Sequence, residues 1–415
     1  MDASNGVCTI KPNWFDATQY GYVASETGTH ATSIQAAIDS AAAAKGGTVF
    51  LPAGEYTLNE PLRIQSPGIA IVGAHRATSV TLSDTGSILV TASDTVIEGL
   101  EIVHDQPDPS VTSPWEPKPY QPAILVDGAT RATLRNIVFV NATSAIDARN
   151  PRGLIISGIR GQPLQSGIRI ESSDSAFDVS VRDVVFEPSW SKDRRVLAYQ
   201  ASNAVAFSSI NNNLTKAAFE GVSASNYAVG FAMGGDGPPS SITRQSLSNA
   251  RALFCGIGLA VGSNQVRLAV QDFIFLGLPG DQSVNGVLVG GSNITLHVIG
   301  FRCDTTGQAA ISVDGPSPQL ATFRNVFIKD WNQQANAALG LPAKKRLHPL
   351  KLPPQLDSIG IKVSGNDLAE EVTSAIYAGW GAYVEISGDK TFTQTPPANW
   401  PIKGGNVDKI NIVPF

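Results

Sequence analysis

The sequence predicts an all-β fold, a right-handed parallel β-helix whose first coil is covered by an α-helix. The main observation is a repeated signature in which a small residue precedes the pattern apolar–x–apolar. Its first three copies begin at Ala123, Ala145 and Gly167, so they are spaced by 22 residues. The signature returns later in the chain, at Ala204, Gly230, Gly258, Gly286, Ala310 and Gly360.

A second repeated pattern lies between these signatures and supplies another strand in each coil. Two residues, mostly polar or small, are enclosed by apolar ones in Leu134–Ile137, Ile156–Ile159, Val181–Val184, Val298–Phe301 and Phe323–Val326. A period in the twenties made of short β-segments is typical of a solenoid with one coil per repeat. Each coil then stacks about 4.8 Å from the next and buries its apolar side against its neighbours.

The composition fits one long domain and argues against two classes of partner. Of the 415 residues, 42% are hydrophobic and only 16% are charged, as expected for many short strands joined by turns. Because a solenoid grows in one dimension, a single β-helix over residues 14–363 can follow an N-terminal arm of residues 1–13. A formal net charge of −5 argues against a nucleic-acid surface, which needs a basic stripe. No apolar run reaches the roughly 18 residues of a membrane-spanning helix, so we expect no membrane insertion.

The N-terminus and the cysteines bear on where the protein works. The segment from Met1 to Cys8 lacks the basic start and apolar core of a secretory signal, so either a signal has been removed or the protein does not use that export route, and we favour the second interpretation. Cys255 and Cys303 are expected about two coils, or roughly 10 Å, from each other. That separation is too large for a disulfide, and we expect buried free thiols.

An amphipathic helix over about residues 33–44 is predicted before the first coil. Ser33 is the predicted N-cap, the following alanines favour helix, and Lys45-Gly-Gly47 ends it. One face carries the apolar side chains Ile34, Ala37, Ile38 and Ala41. Since the first coil of a solenoid exposes an apolar end, we expect this helix to cover it.

Residues 14–64 also resemble a known family. The segments Ala36-Ala-Ile-Asp39 and Gly46-Gly-Thr-Val-Phe-Leu-Pro-Ala-Gly-Glu-Tyr56, with the later Ile71-Val-Gly73, resemble the opening of the pectate-lyase-superfamily β-helix domain. That domain occurs in polysaccharide lyases, glycoside hydrolases and the spike proteins of phages and phage-like particles. The chain departs from the family in having Thr29-His-Ala-Thr-Ser33 where an Asp-Thr pair commonly precedes the helix. The resemblance implies the fold, and no catalytic residue is carried over from it.

Two long excursions interrupt the coil spacing. Residues 104–122 contain six prolines, which exclude a regular strand or helix, and loops of this length within a compact repeat are usually functional. Residues 185–199 form a second excursion, since the distance from Gly167 to Ala204 exceeds one coil by about 15 residues. A third insertion, residues 341–354, is expected to be a solvated loop or a subunit contact. Residues 364–415 lose the pattern and are expected to form a C-terminal cap or a subunit interface.

Strand alternation places charged side chains on the outer wall. If Ile124, Ile146 and Ile168 point inward, Leu125, Asp147 and Arg169 form one outward column and Asp127, Arg149 and Glu171 the next. These charges form either a solvated ion-pair ladder or part of a carbohydrate groove between the two excursions. The candidate catalytic carboxylates are Asp147, Glu171 and Glu187. The candidate carbohydrate-binding residues are Trp115, Tyr120, Arg149, Arg169, Trp190, Arg194 and Tyr199, although Trp115 and Tyr120 could equally pin their loop to the wall.

Two function classes fit these observations. One is a receptor-binding spike of a phage or phage-like particle that binds cell-surface polysaccharide, with or without depolymerising it. The other is a secreted polysaccharide lyase or glycoside hydrolase. We expect a homotrimer, because linked weak sugar sites gain avidity, and contacts with other particle proteins. No nucleophile motif, phosphate loop or zinc motif occurs, so no metal or cofactor is predicted.

Overall fold

A computed structural model describes most of the N-terminal three quarters of the chain and isolated strands beyond it. The described residues are 13–21, 30–83, 85–172, 178–211, 216–235, 243–263, 266–278, 285–290, 294–304, 311–313, 319–329, 350–351, 359–365, 382–388 and 409–414.

The described strands form two parallel sheets wound into a right-handed β-helix, as the sequence predicts. Sheet A, with 22 strands, receives two strands from each early coil: Trp14–Asp16, Gly47–Leu51, Gly54–Leu58, Ile69–Gly73, Thr78–Leu82, Val96–Glu98, Glu101–His104, Thr133–Arg135, Val138–Phe139, Leu154–Ser157, Arg160–Gly161, Asp178–Arg182, Val185–Phe186, Lys216–Glu220, Ser223–Ser225, Thr243–Leu253, Val266–Leu276, Ile294–Asp304, Gln319–Lys329, Ile359–Gly365, Ala382–Gly388 and Lys409–Pro414.

Sheet B receives one strand from each coil and has 11 strands. They are Pro61–Ile64, Ser87–Val90, Ile124–Asp127, Ser144–Arg149, Ser166–Ser172, Val205–Asn211, Val229–Gly235, Ile257–Ser263, Asn285–Gly290, Ile311–Val313 and Leu350–Lys351. Helix α1 spans Ala31–Ala43 and helix α2 spans Arg194–Asn203, and the 3-10 helices span Ala17–Tyr20 and His75–Ala77.

The predicted register of the first signature copies is confirmed. Ile146 is the Cα partner of both Ile124 and Ile168, and the column Leu125, Asp147 and Arg169 runs beside it. Asp127, Arg149 and Glu171 are likewise paired from coil to coil. Sheet B therefore turns the predicted residues toward its outer face.

Two later copies are assigned wrongly by the sequence pattern. Phe207 pairs with Ile168, so Ala206 takes the place of Gly167 and the signature begins two residues later than Ala204. A signature starting at Ala204 would place Ala206 in the outward column, but Ser208 stands there and Ala206 is buried. The segment at Gly360 belongs to sheet A, where Ile359–Gly365 pairs with Gln319–Arg324.

The small residue of the signature is required by close backbone approach. A Cβ atom on Gly167 would lie 2.1 Å from the Ala206 carbonyl oxygen and 2.5 Å from the Phe186 ring. At Gly258 the corresponding distances to the Gly286 carbonyl oxygen and to the Phe275 ring are both 2.5 Å. The next coil and a core phenyl ring thus occupy the space of a side chain, which explains the repeat in physical terms.

The second pattern is explained by a left-handed turn residue between the two strands of sheet A. Asn136, Gly158, Asp183 and Gly221 have φ values of 54°, 63°, 55° and 62°. Each donates its backbone N–H to a carbonyl of the next coil, at 3.0–3.2 Å. Asn, Asp and Gly adopt this backbone conformation at the least cost, which is why they recur at this position.

Helix α1 packs its buried face into the core at the first coil. Its N-cap is His30 rather than the predicted Ser33, whose hydroxyl donates to the His30 carbonyl oxygen. The side-chain amide of Gln35 accepts the Arg63 N–H at 2.8 Å and donates to the Arg63 carbonyl oxygen at 3.2 Å. Arg63 lies on the first strand of sheet B, and the Gln35 side chain forms the main-chain hydrogen bonds that a neighbouring strand would otherwise form.

The described C-terminal strands extend sheet A beyond residue 363. Ala382–Gly388 pairs in parallel with Ile359–Gly365, and Lys409–Pro414 pairs with Ala382–Gly388. Residues 1–12 of the expected arm, most of the 341–354 insertion and the rest of the expected cap lie outside the described residues. Among the described residues, no helix is long and apolar enough to cross a membrane.

Candidate functional site

The two long excursions leave the β-helix at the same corner, between sheet A and sheet B. One runs over residues 105–122 into the strand Ile124–Asp127, and the other over residues 187–204 into Val205–Asn211. The two coils between them have short corners, residues 140–143 and 162–165. These short corners form a floor on which both excursions are anchored.

Buried polar groups hold the first excursion. The His104 N–H donates to Asn141 Oδ1 at 2.8 Å, and the Thr143 N–H donates to His104 Nδ1 at 3.0 Å. Gln106 Nε2 donates to Thr143 Oγ1 at 2.7 Å, while Gln106 Oε1 accepts the Lys118 N–H. Desolvation lowers the pKa of His104 to about 4, so its imidazole is neutral at pH 7.

Tyr120 belongs to the base of this loop. Its ring centroid lies 4.7 Å from that of His104, and its hydroxyl donates to the Asp105 carbonyl oxygen at 2.7 Å. Lys118 Nζ lies 5.8 Å from the Tyr120 ring centroid and 3.0 Å from Asp105 Oδ2. These contacts favour the loop-pinning role for Tyr120.

The second excursion contains helix α2, which the sequence does not predict. Asp193 is its N-cap, with Oδ1 accepting the Arg195 N–H at 2.8 Å. The Arg195 guanidinium also donates a hydrogen bond to the Asp193 carboxylate. This side-chain hydrogen bond, and then the one from the Arg195 backbone N–H, lower the pKa of the Asp193 carboxyl to about 2. Arg195 Nη1 further donates to the Ser110 carbonyl oxygen at 3.3 Å. This arginine therefore ties the two excursions together.

Two buried glutamines fix the second excursion to the floor. Gln162 Oε1 accepts the Trp190 N–H at 2.8 Å and the Ser191 N–H at 3.0 Å. Gln162 Nε2 donates to Gln200 Oε1, and Gln200 Nε2 donates to the Pro163 carbonyl oxygen at 3.1 Å. Helix α2 is thereby held in one position on the corner.

Three aromatic residues from the two excursions meet above this floor. The Trp115 ring centroid lies 6.3 Å from that of Trp190 and 5.8 Å from that of Tyr199. We call these three residues the aromatic platform. Buried Leu164 and Val196 pack beneath them.

The members of the platform differ in exposure. Trp115 is only 3% exposed and donates its Nε1–H to the Pro107 carbonyl oxygen, so it supports the platform rather than offering a face for stacking. Trp190 and Tyr199 are half-buried, so each keeps some surface exposed to solvent. Burial is the main reason that the pKa of the Tyr199 hydroxyl is raised, and the negative charge of Glu116 adds to it.

The charged columns form ion pairs within strands, whereas pairs between coils are expected from the sequence. Arg149 Nη2 lies 2.9 Å from Asp147 Oδ2, and Arg169 Nη2 lies 2.6 Å from Glu171 Oε2. Residues i and i+2 share one face of a strand, and the long arginine stem spans that distance. As diagonal neighbours on adjacent strands, Asp147 and Glu171 lie about 8 Å apart at their Cα atoms.

Asp147 is the unusual member of these columns. It is 4% exposed although it points outward, and its Oδ1 is buried with no hydrogen-bond partner among the described residues. Arg149, Arg169 and Glu171 are each close to half exposed at the side chain. The other predicted residues of the site, Glu187 and Arg194, are exposed on the second excursion.

Sequence reasoning misses the residues that anchor the excursions. His104, Asn141, Thr143, Gln162 and Gln200 are buried polar residues at the corner. For Asn141, Thr143 and Gln162 the sequence does contain a signal, because each is a polar residue that follows the second sheet A strand of a coil with a short corner. His104, which ends a strand before a long excursion, and Gln200, which lies in helix α2, have no such signal. Among the described residues, no three His, Cys, Asp or Glu side chains are grouped as metal ligands.

Comparisons with known proteins show the fold. No protein-family model matches the sequence, and no curated protein sequence matches it. The solved structures similar to this chain include the Agl-KA catalytic domain, with a TM-score of 0.61, 15% identity and coverage of 90% of this chain and 68% of that one. Another is the tailspike protein of the E. coli bacteriophage HK620 in complex with a hexasaccharide. Its TM-score is 0.58 at 13% identity, with 92% of this chain and 76% of that chain covered.

A third similar structure is the catalytic unit of a GH87 α-1,3-glucanase from Streptomyces thermodiastaticus. Its TM-score is 0.53 at 15% identity, with 76% of this chain and 63% of that chain covered. This chain thus spans slightly under two thirds of the glucanase unit. At these identities the comparisons establish the parallel β-helix and leave activity to the residues.

Proposed function

We propose that this protein binds an extracellular polysaccharide at the corner formed by the two excursions and on the adjoining outer face of sheet B. In this proposal it is the receptor-binding spike of a phage or phage-like particle. The main observation in favour of binding is that hydrogen bonds hold the two long excursions to each other and to the short corners beneath them, so that Trp190 and Tyr199 have fixed positions. The charged columns lie on the sheet B strands that follow these corners.

Rigidity is the physical argument. A loop that orders only when ligand arrives loses affinity to that ordering, whereas a preorganised one does not. The side chains of Gln162 and Gln200 are fully buried, and each forms hydrogen bonds to the corner or the second excursion. Burial of amides is costly unless each is hydrogen-bonded, so this network holds the excursions in a defined shape.

The side chains at the corner suit a carbohydrate. The exposed parts of Trp190 and Tyr199 offer flat apolar surface for the C–H face of a sugar ring. Arg149, Arg169 and Arg194 offer paired donors to hydroxyl and carboxylate oxygens, which favours an acidic glycan. The similarity to a tailspike with a bound hexasaccharide and to a glucanase unit supports a carbohydrate partner.

Binding is tested with immobilised bacterial O-antigen and capsular polysaccharides and with α-1,3-glucan. We expect Trp190→Ala to weaken binding about tenfold, as the loss of one well-placed aromatic contact does. Trp14→Ala is the matched control, because Trp14 is 55% exposed on the first strand of sheet A, at the N-terminal end of the β-helix and away from both excursions. Equal binding by wild type and Trp190→Ala would reject the platform as the site.

Cleavage of the bound glycan is a second candidate function. It is favoured by Asp147, an outward carboxylate whose Oδ1 is buried without a partner. Glycosidases use two carboxyl groups, about 6.5–9.5 Å apart in inverting enzymes, and Glu171 lies on the diagonal position. Glu187 is the third carboxylate to test.

The assay for cleavage is release of reducing ends or unsaturated sugars from a polysaccharide that binds. We expect Asp147→Asn and Glu171→Gln to lose product release while keeping glycan binding. Asp94→Asn is the control, because Asp94 is an exposed, ion-paired carboxylate in the turn before the sheet A strand Val96–Glu98. Retained cleavage in both site variants would remove these residues from catalysis and direct attention to Glu187.

We propose a homotrimer as the assembly of the spike. From Ser208 onward the outward column of sheet B carries small or apolar residues, Ala232, Ala260 and Leu288, which suit packing against another subunit. Three linked sites also gain avidity without a new contact. The mass in solution at micromolar concentration tests this, and a monomer favours the alternative of a secreted lyase or hydrolase.

A further inference from the structure

One aromatic residue outside the platform is held in an unfavourable backbone conformation. Phe254 has φ of 56°, the left-handed region that bulky residues rarely adopt. Its N–H donates to the Leu276 carbonyl oxygen at 2.6 Å. One coil earlier, the corresponding position is Asn226, with φ of 65° and its N–H on the Leu253 carbonyl oxygen. Asparagine suits this turn, and phenylalanine does not.

Burial does not compensate for this conformation. Phe254 is 39% exposed, and among the described residues no ring contact is formed with it. Leu253 and Leu276, which are Cα partners on adjacent coils, are half-buried beside it on the outer wall. An exposed aromatic residue kept on strained backbone points to a function at that position.

The position of Phe254 connects it to the excursions. The turn Phe254–Gly256 lies at the same corner of the β-helix as residues 187–204 and 226–228. Asn226 Nδ2 donates to the Leu197 carbonyl oxygen, so helix α2 lies over the coil of Asn226. Phe254 follows in the next coil, about 4.8 Å farther along the axis. It therefore places an exposed aromatic residue on the same corner of the β-helix, one coil beyond the coil that helix α2 contacts through Asn226.

We propose that Phe254 is an additional sugar-stacking subsite, which receives a pyranose ring of the same polysaccharide chain that contacts Trp190 and Tyr199. The proposal rests on the proposed polysaccharide-binding function. It predicts that the bound glycan runs along the corner, parallel to the axis of the β-helix. The apolar edge beside the ring, Leu253 and Leu276, suits the C–H face of a sugar, and exposed Arg251 offers donors to its hydroxyl groups.

The test uses Phe254→Asn, which gives this turn the residue found at Asn226. We expect the melting temperature to stay the same or rise, because asparagine relieves the backbone. Affinity for long oligosaccharides of a polysaccharide that binds should fall about three- to tenfold. Short oligosaccharides that reach only the platform should bind unchanged. Ile155→Thr is the control, since Ile155 is 37% exposed on sheet A, away from the corner.

The outcomes separate this subsite from the site itself. If Trp190→Ala weakens binding and Phe254→Asn does not, the platform stands and the subsite is rejected. If Phe254→Asn lowers the melting temperature and leaves binding unchanged, the residue has a structural role and the proposal is overturned. If Phe254→Asn changes the subunit number instead of glycan affinity, the apolar edge is a subunit contact and the subsite is likewise rejected. Absence of binding by the wild-type protein would reject both proposals.

Discussion

Acidification should weaken the anchoring of the first excursion through His104. The imidazole is completely buried, accepts the Thr143 N–H at Nδ1, and has no described partner at Nε2. Its pKa is about 4 in the folded protein and about 6.5 in an unfolded chain. The unfolded state therefore takes up a proton first as the pH falls, and stability is lost between pH 6.5 and pH 4.

The size of the effect follows from that difference in pKa. Each unit corresponds to about 1.36 kcal/mol, so lowering the pH from 7 to 4.5 should cost about 2–3 kcal/mol through this residue. His104→Asn removes the titrating group, and its side-chain oxygen can still accept the Thr143 N–H. The variant should lose correspondingly less stability over the same pH range.

Urea unfolding at pH 7 and pH 4.5, followed by circular dichroism, measures the difference between wild type and variant. His75→Asn is the control, because His75 is exposed and its backbone, with φ of 56°, also suits asparagine. An equal loss of stability on acidification in wild type and His104→Asn would refute the reasoning.

Three further outcomes follow from the fold. Gly258→Ala should destabilise the protein by about 1–3 kcal/mol, since its Cβ would lie 2.5 Å from a carbonyl oxygen, whereas Gly262→Ala, with its nearest contact at 3.7 Å, should be nearly neutral; thermal unfolding compares them. Burial raises the pKa of the Cys255 thiol to about 12 and raises that of Cys303, so in a Cys8→Ser background neither should react with a thiol reagent at pH 8 until the protein unfolds. Gln35→Ala should lower stability by about 1 kcal/mol and promote edge association, detected by gel filtration, because the main chain of the first strand of sheet B loses its partner.

The sequence predicts the register of sheet B where three copies of the signature share one spacing. Ile124, Ile146 and Ile168 can stack in only one way without exposing a core residue. At Ala204 the pattern fails because Ala204-Val-Ala-Phe207 matches the signature, whereas Ala206-Phe-Ser-Ser209, which occupies its place in the sheet, has a serine where the last apolar residue is expected. Only the stacking of Phe207 against rings of the neighbouring coils selects Ala206, and that contact is not visible in the local sequence.

The sequence predicts only part of the candidate site, because the burial of its residues depends on contacts with other coils. The two excursions and their aromatic residues are evident from spacing and proline content. The burial of Trp115 depends on Leu164 and Val196, which come from another coil and from helix α2. Asp147 is predicted to be an exposed ladder residue, and its burial likewise arises from three-dimensional packing that alternation does not encode.

The stacking rule of the solenoid explains why the candidate site lies at this corner. Strand positions are constrained by the coils above and below, as the 2.1 Å approach at Gly167 illustrates, so inserted residues can leave the wall only at a corner. The excursions before Ile124 and before Val205 are three coils apart, or about 14 Å along the axis. Trp115 and Arg195 reach across this gap, and they do so only because the intervening corners are short. Lengthening the corner at residues 162–165 should therefore separate the excursions and abolish glycan binding, while sheets A and B keep their register.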